Sequence, residues 1–368
     1  MKINSDYFNF KLNILSKVYK AKNAFPALTG LLISNGKAIL SNGDSYIITN
    51  LEIEDKDFKA LIPFKPLKEI FSKIKNDTVT LETENNKLKI SCKKTNFKLN
   101  LLDFDTYPKY ISKTDIEEIE ETGFLLHTNI IRKINDKIAF ACSKSDKKPI
   151  LKGINFNASN GVLKCVATDS FKLAYLKIED IKEDFNFTIE QNDLKNISDI
   201  IPQDYAVRIV FKNNSIFTIF GDTIYSCRLL EGIYPNVEKL IKPNYEQISI
   251  EINKKDFLDS LELLNVFTGN EKIEELLEKN IIKLSFYKNE LTMSIDNNAF
   301  GNGCSVINCK YSEYNEFKIA CDYKMLLETI KNNEEDNIVL KVSKDNRPIY
   351  NENSKADYVQ LILPVKIN

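Results

Sequence analysis

The stretch Phe25-Pro-Ala-Leu-Thr-Gly-Leu-Leu-Ile33 decides the fold, because the sequence contains it more than once. A related stretch, Lys148-Pro-Ile-Leu-Lys-Gly-Ile-Asn-Phe156, follows 123 positions later, counted from Pro26 to Pro149. A third and more divergent copy begins at Ile281-Ile-Lys-Leu-Ser-Phe286. Repetition at so long a period indicates whole domains, since the units of solenoid proteins are only about 20 to 50 residues long.

Two further markers recur in each copy. Each copy continues into an apolar strand that ends on an aspartate, at Asp44, Asp169 and Asp296, which are 125 and 127 positions apart. Each copy closes on a proline, at Pro108, Pro235 and Pro364, which are 127 and 129 positions apart. Three copies therefore account for the 368 residues of the chain.

We predict three domains of similar structure, with bounds 1–119, 120–245 and 246–368. The acidic run Asp115–Glu121 is expected to be an exposed linker at the first boundary. The second boundary is predicted near Lys242-Pro-Asn244, since proline and asparagine favour turns and loops over helices and strands.

Hydrophobic periodicity predicts an early helix and a later helix in each copy. The apolar faces of the early helices are Phe8, Leu12, Leu15 and Tyr19, then Ile131, Ile134, Ile138 and Ala141, then Phe257, Leu261 and Leu264. The later helices are predicted to start near Phe64, Gln191 and Asp322. Alternating and β-branched runs, such as residues 78–83, 87–92 and 206–211, predict strands around them. Two helices packed on antiparallel sheets, repeated three times, make an α+β fold.

Composition describes an ordinary globular protein, with 43% hydrophobic and 28% charged residues. No stretch reaches the roughly 18 consecutive apolar residues of a membrane helix, so we expect a cytoplasmic protein without a membrane partner. The net charge of −1 excludes a uniformly basic protein, so contact with nucleic acid must depend on local clusters or on geometry. Seven scattered cysteines without a C-x-x-C pair are expected to be reduced thiols, packed as small apolar side chains.

The sequence argues against an enzyme. Thr168-Asp-Ser170 combines a hydroxyl with a carboxylate, but the single histidine, His127, lies 41 positions before Thr168, at a predicted strand end before a helix capped by Thr128. Gly301-Asn-Gly303 is too short for a phosphate loop and lacks the lysine that would follow it. Since no acidic, cysteine or histidine cluster has metal-ligand spacing, we expect no catalytic residue, metal or cofactor.

Three separated segments resemble signature segments of the bacterial DNA polymerase III beta subunit family, the beta sliding clamps. They are Val166–Ala174, Leu229–Pro235 and Tyr358–Ile367, in the family's order and spacing. The resemblance covers the full length of the chain. It implies a head-to-tail homodimer whose six domains close into a ring around double-stranded DNA without reading its sequence, with helices lining the pore and sheets outside. It also implies a processivity factor that tethers the replicative DNA polymerase.

Clamps of this family recruit the polymerase, the clamp loader complex and other proteins with clamp-binding motifs through a hydrophobic cleft between the second and third domains. The resemblance assigns the cleft to Leu151, Thr168, Ser170, Phe171, Lys172, Leu173, Pro235, Lys239, Leu240, Tyr323, Leu361, Ile362, Leu363, Pro364, Val365 and Lys366. The family often has Gly and His at the positions of Ser170 and Phe171, and this chain ends one residue later, at Asn368. The rim of the cleft is therefore expected to differ in shape.

The same resemblance locates the DNA-facing surface and the dimer interface. The residues expected to face DNA are Lys17, Lys20, Lys68, Lys73, Arg132, Lys133 and Lys137, and a solvated helix face remains the alternative for each lysine. The dimer interface is expected at Phe97, Leu99 and Phe267, and the stretch Glu271–Lys279 beside it departs from the family pattern. The early helix of the third domain mixes lysines with acids, so we do not expect a uniformly basic pore.

A second function from another class stays open on the residues alone. A three-domain scaffold protein, neither catalytic nor encircling DNA, would have the same composition and the same repeat. The shape of the particle distinguishes the two, because only a clamp requires a closed dimer with a hole the size of a DNA duplex.

Overall fold

A computed structural model of the chain describes residues 1–108, 123–268, 280–297, 301–311, 315–345 and 347–366. The predicted linker Asp115–Glu121 and the stretch Glu271–Lys279 lie outside these residues. By its internal contacts the chain divides into two compact units. The first contains residues 1–132 and 192–229, and the second contains residues 133–191 and 230–368.

Three successive sets of elements follow the same order along the chain. Each set has a strand, a helix, four strands, a second helix and three strands, which confirms the predicted α+β repeat and adds a strand before each early helix. The first set is β1 (Lys2–Asn4), α1 (Ser5–Leu15), β2 (Gly30–Ser34), β3 (Lys37–Ser41), β4 (Ser45–Asn50), β5 (Ala60–Pro63), α2 (Phe64–Phe71), β6 (Thr78–Glu84), β7 (Lys87–Cys92) and β8 (Thr95–Asn100).

The second and third sets repeat this order. The second is β9 (Phe124–His127), α3 (Thr128–Ile138), β10 (Gly153–Ser159), β11 (Val162–Thr168), β12 (Lys172–Glu179), β13 (Phe185–Glu190), α4 (Gln191–Ile200), β14 (Ala206–Lys212), β15 (Ser215–Phe220) and β16 (Thr223–Arg228). A short helix, α5 (Glu238–Ile241), precedes the third set. The third is β17 (Ile248–Asn253), α6 (Lys254–Leu264), β18 (Ile281–Tyr287), β19 (Glu290–Asn297), β20 (Gly301–Lys310), β21 (Phe317–Asp322), α7 (Tyr323–Lys331), β22 (Asn337–Val342), β23 (Ile349–Glu352) and β24 (Tyr358–Ile362).

The strands of the described residues form three antiparallel sheets. The first unit holds a four-stranded sheet in the order β1-β6-β7-β8 and an eight-stranded sheet in the order β5-β2-β3-β4-β16-β15-β14-β9. The second unit holds a twelve-stranded sheet in the order β13-β10-β11-β12-β24-β23-β22-β17-β20-β19-β18-β21. The fourth strand of one set therefore pairs with the eighth strand of the next set, both at β4–β16 and at β12–β24.

Strand-end side chains start the helices. Asn4 accepts hydrogen bonds from the N–H groups of Asp6 and Tyr7, and Asn253 and Asp322 cap α6 and α7 in the same way. Such caps satisfy N–H groups that have no partner inside the helix. At the start of α3 the Thr128 hydroxyl oxygen accepts the N–H of Tyr205, and His127 Nδ1 accepts the N–H of Asn129.

The predicted apolar helix faces are buried, with one exception in α1. Phe8, Leu12 and Leu15 are fully buried. Tyr19 is not part of the helix, because α1 ends at Leu15 and a single 3₁₀ turn follows. The chain is extended at Tyr19, whose ring packs on Phe64 with the ring centroids 5.0 Å apart.

A buried lysine ties α1 to the β4–β16 pair in the first unit. The ammonium group of Lys11, only 5% exposed, donates to the Thr49 hydroxyl at 2.9 Å and to the Asp222 carboxylate at 2.6 Å. A buried charge is tolerated only when it is paired and hydrogen-bonded, so this contact fixes how α1 packs on the strand pair.

Cysteine burial follows the sequence expectation at most positions. Cys142, Cys165, Cys227, Cys309 and Cys321 are buried, and burial raises the pKa of the Cys142 thiol to about 12. Cys304 is exposed on β20 and does not fit the expectation of a packed thiol. Among the described residues, no helix is long and apolar enough to cross a membrane.

Candidate functional site

The turn between β11 and β12 holds an aromatic side chain at the surface. The Asp169 carboxylate accepts the N–H groups of Phe171 and Lys172, both at 2.8 Å, and the Thr168 hydroxyl donates to the carbonyl of Lys172 at 2.7 Å. Ser170 has φ 81°, in the left-handed region that favours glycine. This turn leaves the Phe171 ring 54% exposed.

The last described residues lie against this turn. β24 pairs antiparallel with β12, with Lys172 opposite Ile362. Beyond β24 the Leu363 N–H donates to the Phe171 carbonyl at 2.8 Å, and the Val365 N–H donates to the Ala320 carbonyl at 2.7 Å. The C-terminal segment is therefore held on both sides by backbone hydrogen bonds.

An apolar cluster lies beneath these two segments. Its buried members are Val166, Leu173, Tyr175, Val237, Tyr350, Val359 and Leu361, with Tyr234, Ile241 and Tyr245 packed against them. The Tyr350 hydroxyl donates to the carbonyl of Leu240 at 2.8 Å and so ties α5 to the cluster. The α5 segment, the β11–β12 turn and the C-terminal segment thus share one apolar floor.

The predicted cleft residues separate into a buried layer and an exposed layer. Buried are Leu151, Thr168, Lys172, Leu173, Tyr323, Leu361 and Ile362. Exposed are Ser170, Phe171, Pro235, Lys239, Leu240, Leu363 and Lys366, and half-buried are Pro364 and Val365. Exposed apolar side chains above a packed apolar floor can bind the apolar side chains of a short extended peptide.

Tyr323 does not belong to this surface. It is fully buried at the start of α7, and its hydroxyl donates to the Leu261 carbonyl at 2.7 Å. Its ring is part of the core cluster built around α6 and α7. We therefore assign it to the interior of the second unit.

Lys172 holds the start of β12 in place through a buried ion pair. Its side chain is only 8% exposed, and its ammonium group pairs with the Glu328 carboxylate on α7 and lies 5.5 Å from the centroid of the Phe140 ring. Removing a buried charge from water is costly, so the lysine stays in place only while the carboxylate is present. Glu328 therefore holds the start of β12 next to α7.

The predicted DNA-facing residues differ in how free their charges are. Lys17 pairs with Asp199 at 2.7 Å, and Lys20 lies 3.8 Å from Asp44. Burial, with a smaller contribution from the nearby Lys17 charge, lowers the pKa of Lys68. Lys73 is exposed. Lys17 is therefore already paired with a carboxylate of its own unit.

On α3 the three predicted residues have different environments. Arg132 is half-buried and donates to the carbonyl of Ile201, whereas Lys133 is exposed. Lys137 is 8% exposed, donates to the Asn332 carbonyl at 2.9 Å and pairs with Glu334 at 2.9 Å. These contacts hold the ammonium group of Lys137 between Asn332 and Glu334.

The predicted interface residues are half-buried and lie at two sheet edges. Phe97 and Leu99 are on β8, the outer strand of the four-stranded sheet. Phe267 lies beside β20, and a Cβ atom built on Gly303 would be 2.3 Å from its ring. Phe267 therefore covers the backbone of β20 at a position where only glycine fits.

The titratable groups give no sign of catalysis in the described part of the chain. His127 is 3.8 Å from Asp204, and its Nδ1 accepts the N–H of Asn129. Among the described residues no group of three or more His, Cys, Asp or Glu side chains could hold a metal ion.

Three residues of the site were missed by the sequence reasoning. The Tyr234 hydroxyl accepts the N–H of Thr168 at 3.1 Å and donates to the Gly153 carbonyl at 3.4 Å, and burial raises its pKa. Ile233 is 95% exposed next to it, and Glu328 holds Lys172. The recurring proline, here Pro235, was a signal for its neighbour Tyr234, whereas no sequence signal connects Glu328 to a residue 156 positions away.

Comparison with known proteins adds an independent line of argument. Residues 1–111 match the family model of the DNA polymerase III beta subunit, N-terminal domain, and residues 125–236 match that of its central domain. The beta sliding clamps of Staphylococcus epidermidis and Staphylococcus aureus are 28% and 27% identical to the chain, over 99% of it and 98% of their own lengths. The DNA polymerase sliding clamp of Bacillus subtilis superposes with a TM-score of 0.87 at 26% identity, covering 100% of this chain and 99% of that one. The DNA polymerase III beta chain of Streptococcus pneumoniae has a TM-score of 0.86 at 25% identity, with the same coverage.

Proposed function

Since the chain belongs to the family of the DNA polymerase III beta subunit, the beta sliding clamp, we propose that two copies close into a ring around duplex DNA. The protein is the non-catalytic processivity subunit of the polymerase. We also propose three domains, with bounds 1–119, 120–245 and 246–368. The residues that contact DNA and partners are proposed as well.

The observation that carries the proposal is the repeated strand pairing. The fourth strand of the first set pairs with the eighth strand of the second, and the fourth strand of the second pairs with the eighth of the third. The fourth strand of the third set is β20, and the eighth strand of the first is β8. Residues 301–308 of β20 and all of β8 each have one edge without a strand partner in the described part of the chain. Edges of this kind pair readily with another chain.

The register of the two internal pairings supports a specific arrangement between subunits. Each strand contributes its third residue as the equivalent position, which is Ile47, Ala174 and Gly303 in the fourth strands and Phe97, Tyr225 and Gln360 in the eighth strands. Ile47 faces Tyr225 and Ala174 faces Gln360, so both internal pairings have the same register. The same register sets Gly303 opposite Phe97 of the partner subunit.

This register explains why glycine occupies position 303. The Phe267 ring covers Gly303 on its own subunit, and Phe97 of the partner subunit would pack against the same backbone. Aromatic side chains commonly cover a glycine across a strand pair. Each subunit would contribute one β20 edge and one β8 edge, so a two-fold axis closes the ring and no filament grows.

The charge of the molecule favours retention on DNA by encirclement over tight binding to the DNA phosphates. The net charge is −1, and several of the lysines expected in the pore are already paired with acids. A ring that encircles DNA needs only weak phosphate contacts, and strong ones would slow its sliding. We propose double-stranded DNA, bound without sequence preference, as the encircled partner and the cytoplasm as the location.

The exposed apolar surface above the Leu173 and Leu361 floor is proposed as the docking site for partners. Its exposed members are Phe171, Leu240 and Leu363, with Pro235 and Ile233 beside them. The partners proposed are the replicative DNA polymerase, the clamp loader complex and other proteins that carry clamp-binding motifs. A scaffold that does not encircle DNA remains the alternative function, and only the ring requires a duplex-sized hole.

Retention on DNA tests the proposed function directly. Loaded by its cognate loader onto nicked circular DNA, the protein should stay associated during a high-salt wash and should leave when the circle is cut. Phosphate contacts alone would weaken by orders of magnitude as the salt concentration rises. Equal retention on open linear DNA after the same wash would contradict encirclement and favour the scaffold alternative.

A further inference from the structure

A polar cavity of about 190 Å³ lies in the second unit. Its walls come from α3, the loop after α7 and the turn between β23 and β24. It is lined by three lysines and three acids, which are Lys133, Lys137 and Lys355, and Glu334, Glu335 and Asp357. Its charge is therefore balanced only while all three carboxylates remain in place.

Two of the acids accept hydrogen bonds from residues of the β23–β24 turn. The Glu335 carboxylate accepts the N–H of Ser354 at 2.8 Å, and the Asp357 carboxylate accepts the side-chain amide of Asn353. Neither carboxylate makes an ion pair with a lysine of the cavity among the described residues. The third acid, Glu334, is therefore the carboxylate that balances the lysines.

Glu334 is an exposed side chain that is paired with one buried lysine. Its carboxylate pairs with Lys137 at 2.9 Å, yet 79% of the side chain is exposed, so it can rotate into solvent without crossing packed atoms. The hydrogen bond from Lys137 lowers the pKa of Glu334, and the charges of Lys133 and Lys254 lower it further. Lys133 and Lys355 have no ion-pair partner among the described residues.

We propose that this cavity binds a phosphate group, with Lys133, Lys137 and Lys355 as its cationic ligands and Glu334 as an internal competitor. When Glu334 rotates away, the cavity has a net charge of +1, and a phosphate oxygen can take the place of the carboxylate beside Lys137. Lys137 keeps its bond to the Asn332 carbonyl in both states. The phosphate can come from the DNA backbone or from free phosphate. The first source rests on the proposed function, because α3 is expected to face the DNA.

Removing the competitor gives a result that a simple basic surface would not give. Glu334→Gln should tighten the binding of a labelled linear duplex at low salt by about two- to fivefold, the range expected for one exposed charge contact. Lys133→Gln and Lys355→Gln should weaken it by a similar factor. Each lysine change should also reduce the salt dependence by about one phosphate contact. Fluorescence anisotropy of the full-length protein measures all of these effects.

The control is a charge change of the same sign elsewhere on the surface. Glu54→Gln also removes one exposed negative charge, but the Glu54 carboxylate makes no ion pair with a lysine among the described residues. A second arm compares melting temperatures in inorganic phosphate and in chloride at equal ionic strength. A response of Glu334→Gln to the duplex above that of Glu54→Gln supports a DNA phosphate, and a response only to inorganic phosphate supports free phosphate. If Glu334→Gln matches Glu54→Gln in both arms, the proposal is overturned. Retention on nicked circles is a separate measurement, so this failure would leave the ring proposal standing.

Discussion

At the scale of single residues, the partner surface depends on one buried charge. Lys172 lies at the start of β12 with its ammonium group buried, and Glu328 is the carboxylate that pairs with it. Glu328→Gln would replace the carboxylate by a neutral amide and leave this charge without an ion-pair partner among the described residues. We expect a loss of about 1–3 kcal/mol in stability, since a buried charged group loses its partner. The midpoint of thermal unfolding measures this loss, and amide exchange at Leu363 reports whether the turn at Phe171 loosens.

A surface ion pair between α6 and α7 provides the matched control. Lys331 and Glu262 are 3.5 Å apart, and both side chains are more than half exposed. Glu262→Gln should therefore change the unfolding midpoint little, because exposed pairs contribute about 0–1 kcal/mol. Combining Lys172→Met with Glu328→Gln should restore most of the loss by removing the buried charge. If Glu328→Gln behaves like Glu262→Gln, the lysine does not depend on its partner.

The sequence indicated which residues form the site, but it did not indicate which of them are buried and which are exposed. Leu173 and Phe171 are two positions apart, yet one is buried and the other 54% exposed. Successive strand residues alternate between faces, but sequence spacing does not show which face another segment covers. Tyr323 was placed at the surface for the same reason, because its burial depends on α6 rather than on its neighbours in sequence.

At the scale of elements, the C-terminal segment after β24 should be necessary for partner binding and dispensable for folding. Deleting Leu363–Asn368 removes the backbone contacts of Leu363 and Val365 but leaves β24, which ends at Ile362, paired with β12. A peptide that buries two or three large side chains gains roughly 1.5–3 kcal/mol from each. Micromolar affinity, about −8 kcal/mol, remains after the loss of freedom on association.

Capture of a polymerase-derived clamp-binding peptide should therefore disappear in the truncated protein, whereas its dimer mass should not change. Phe171→His supplies the comparison, because it alters the rim and leaves the apolar floor intact, so affinity should change only modestly. Peptide binding by the truncated dimer as tight as by the intact one would show that partners bind elsewhere.

Elements were predicted best where local pattern alone determines them. The starts of α2, α4 and α7 coincide with Phe64, Gln191 and Tyr323, as predicted to within one residue. The end of α1 was predicted one turn too late, because the apolar spacing continues to Tyr19 while the backbone has already left the helix. The pairing of β4 with β16 could not be predicted, since neither strand pattern specifies a partner in another domain.

At the scale of the whole molecule, ring closure depends on two sheet edges that carry apolar side chains. Leu99 on β8 is half-buried, and Val306 on β20 is 55% exposed. Leu99→Glu and Val306→Glu should each give a folded monomer, because an unpaired charge in an apolar interface costs several kcal/mol. Phe25→Glu is the control, since Phe25 is 67% exposed and lies on neither edge. Sedimentation at micromolar concentration distinguishes the two masses, and two unchanged dimers would contradict these edges.

The register itself makes a sharper prediction, because it brings the exposed Cys304 opposite Asn96 of the partner subunit. Cα atoms directly opposite in an antiparallel pair are about 4.5–5.5 Å apart, which is within the span of a disulfide bond. Asn96→Cys should therefore cross-link the two subunits under mild oxidation, through the native Cys304 and without any change on β20.

Asn100→Cys is the control, because it adds a thiol to the same strand four residues away, about 13 Å along it. This variant should not cross-link. The Asn96→Cys product should run as a covalent dimer on a non-reducing gel and should disappear when Cys304→Ser is added. Cross-linking of Asn100→Cys instead would mean that the seam does not repeat the register of the two internal pairings.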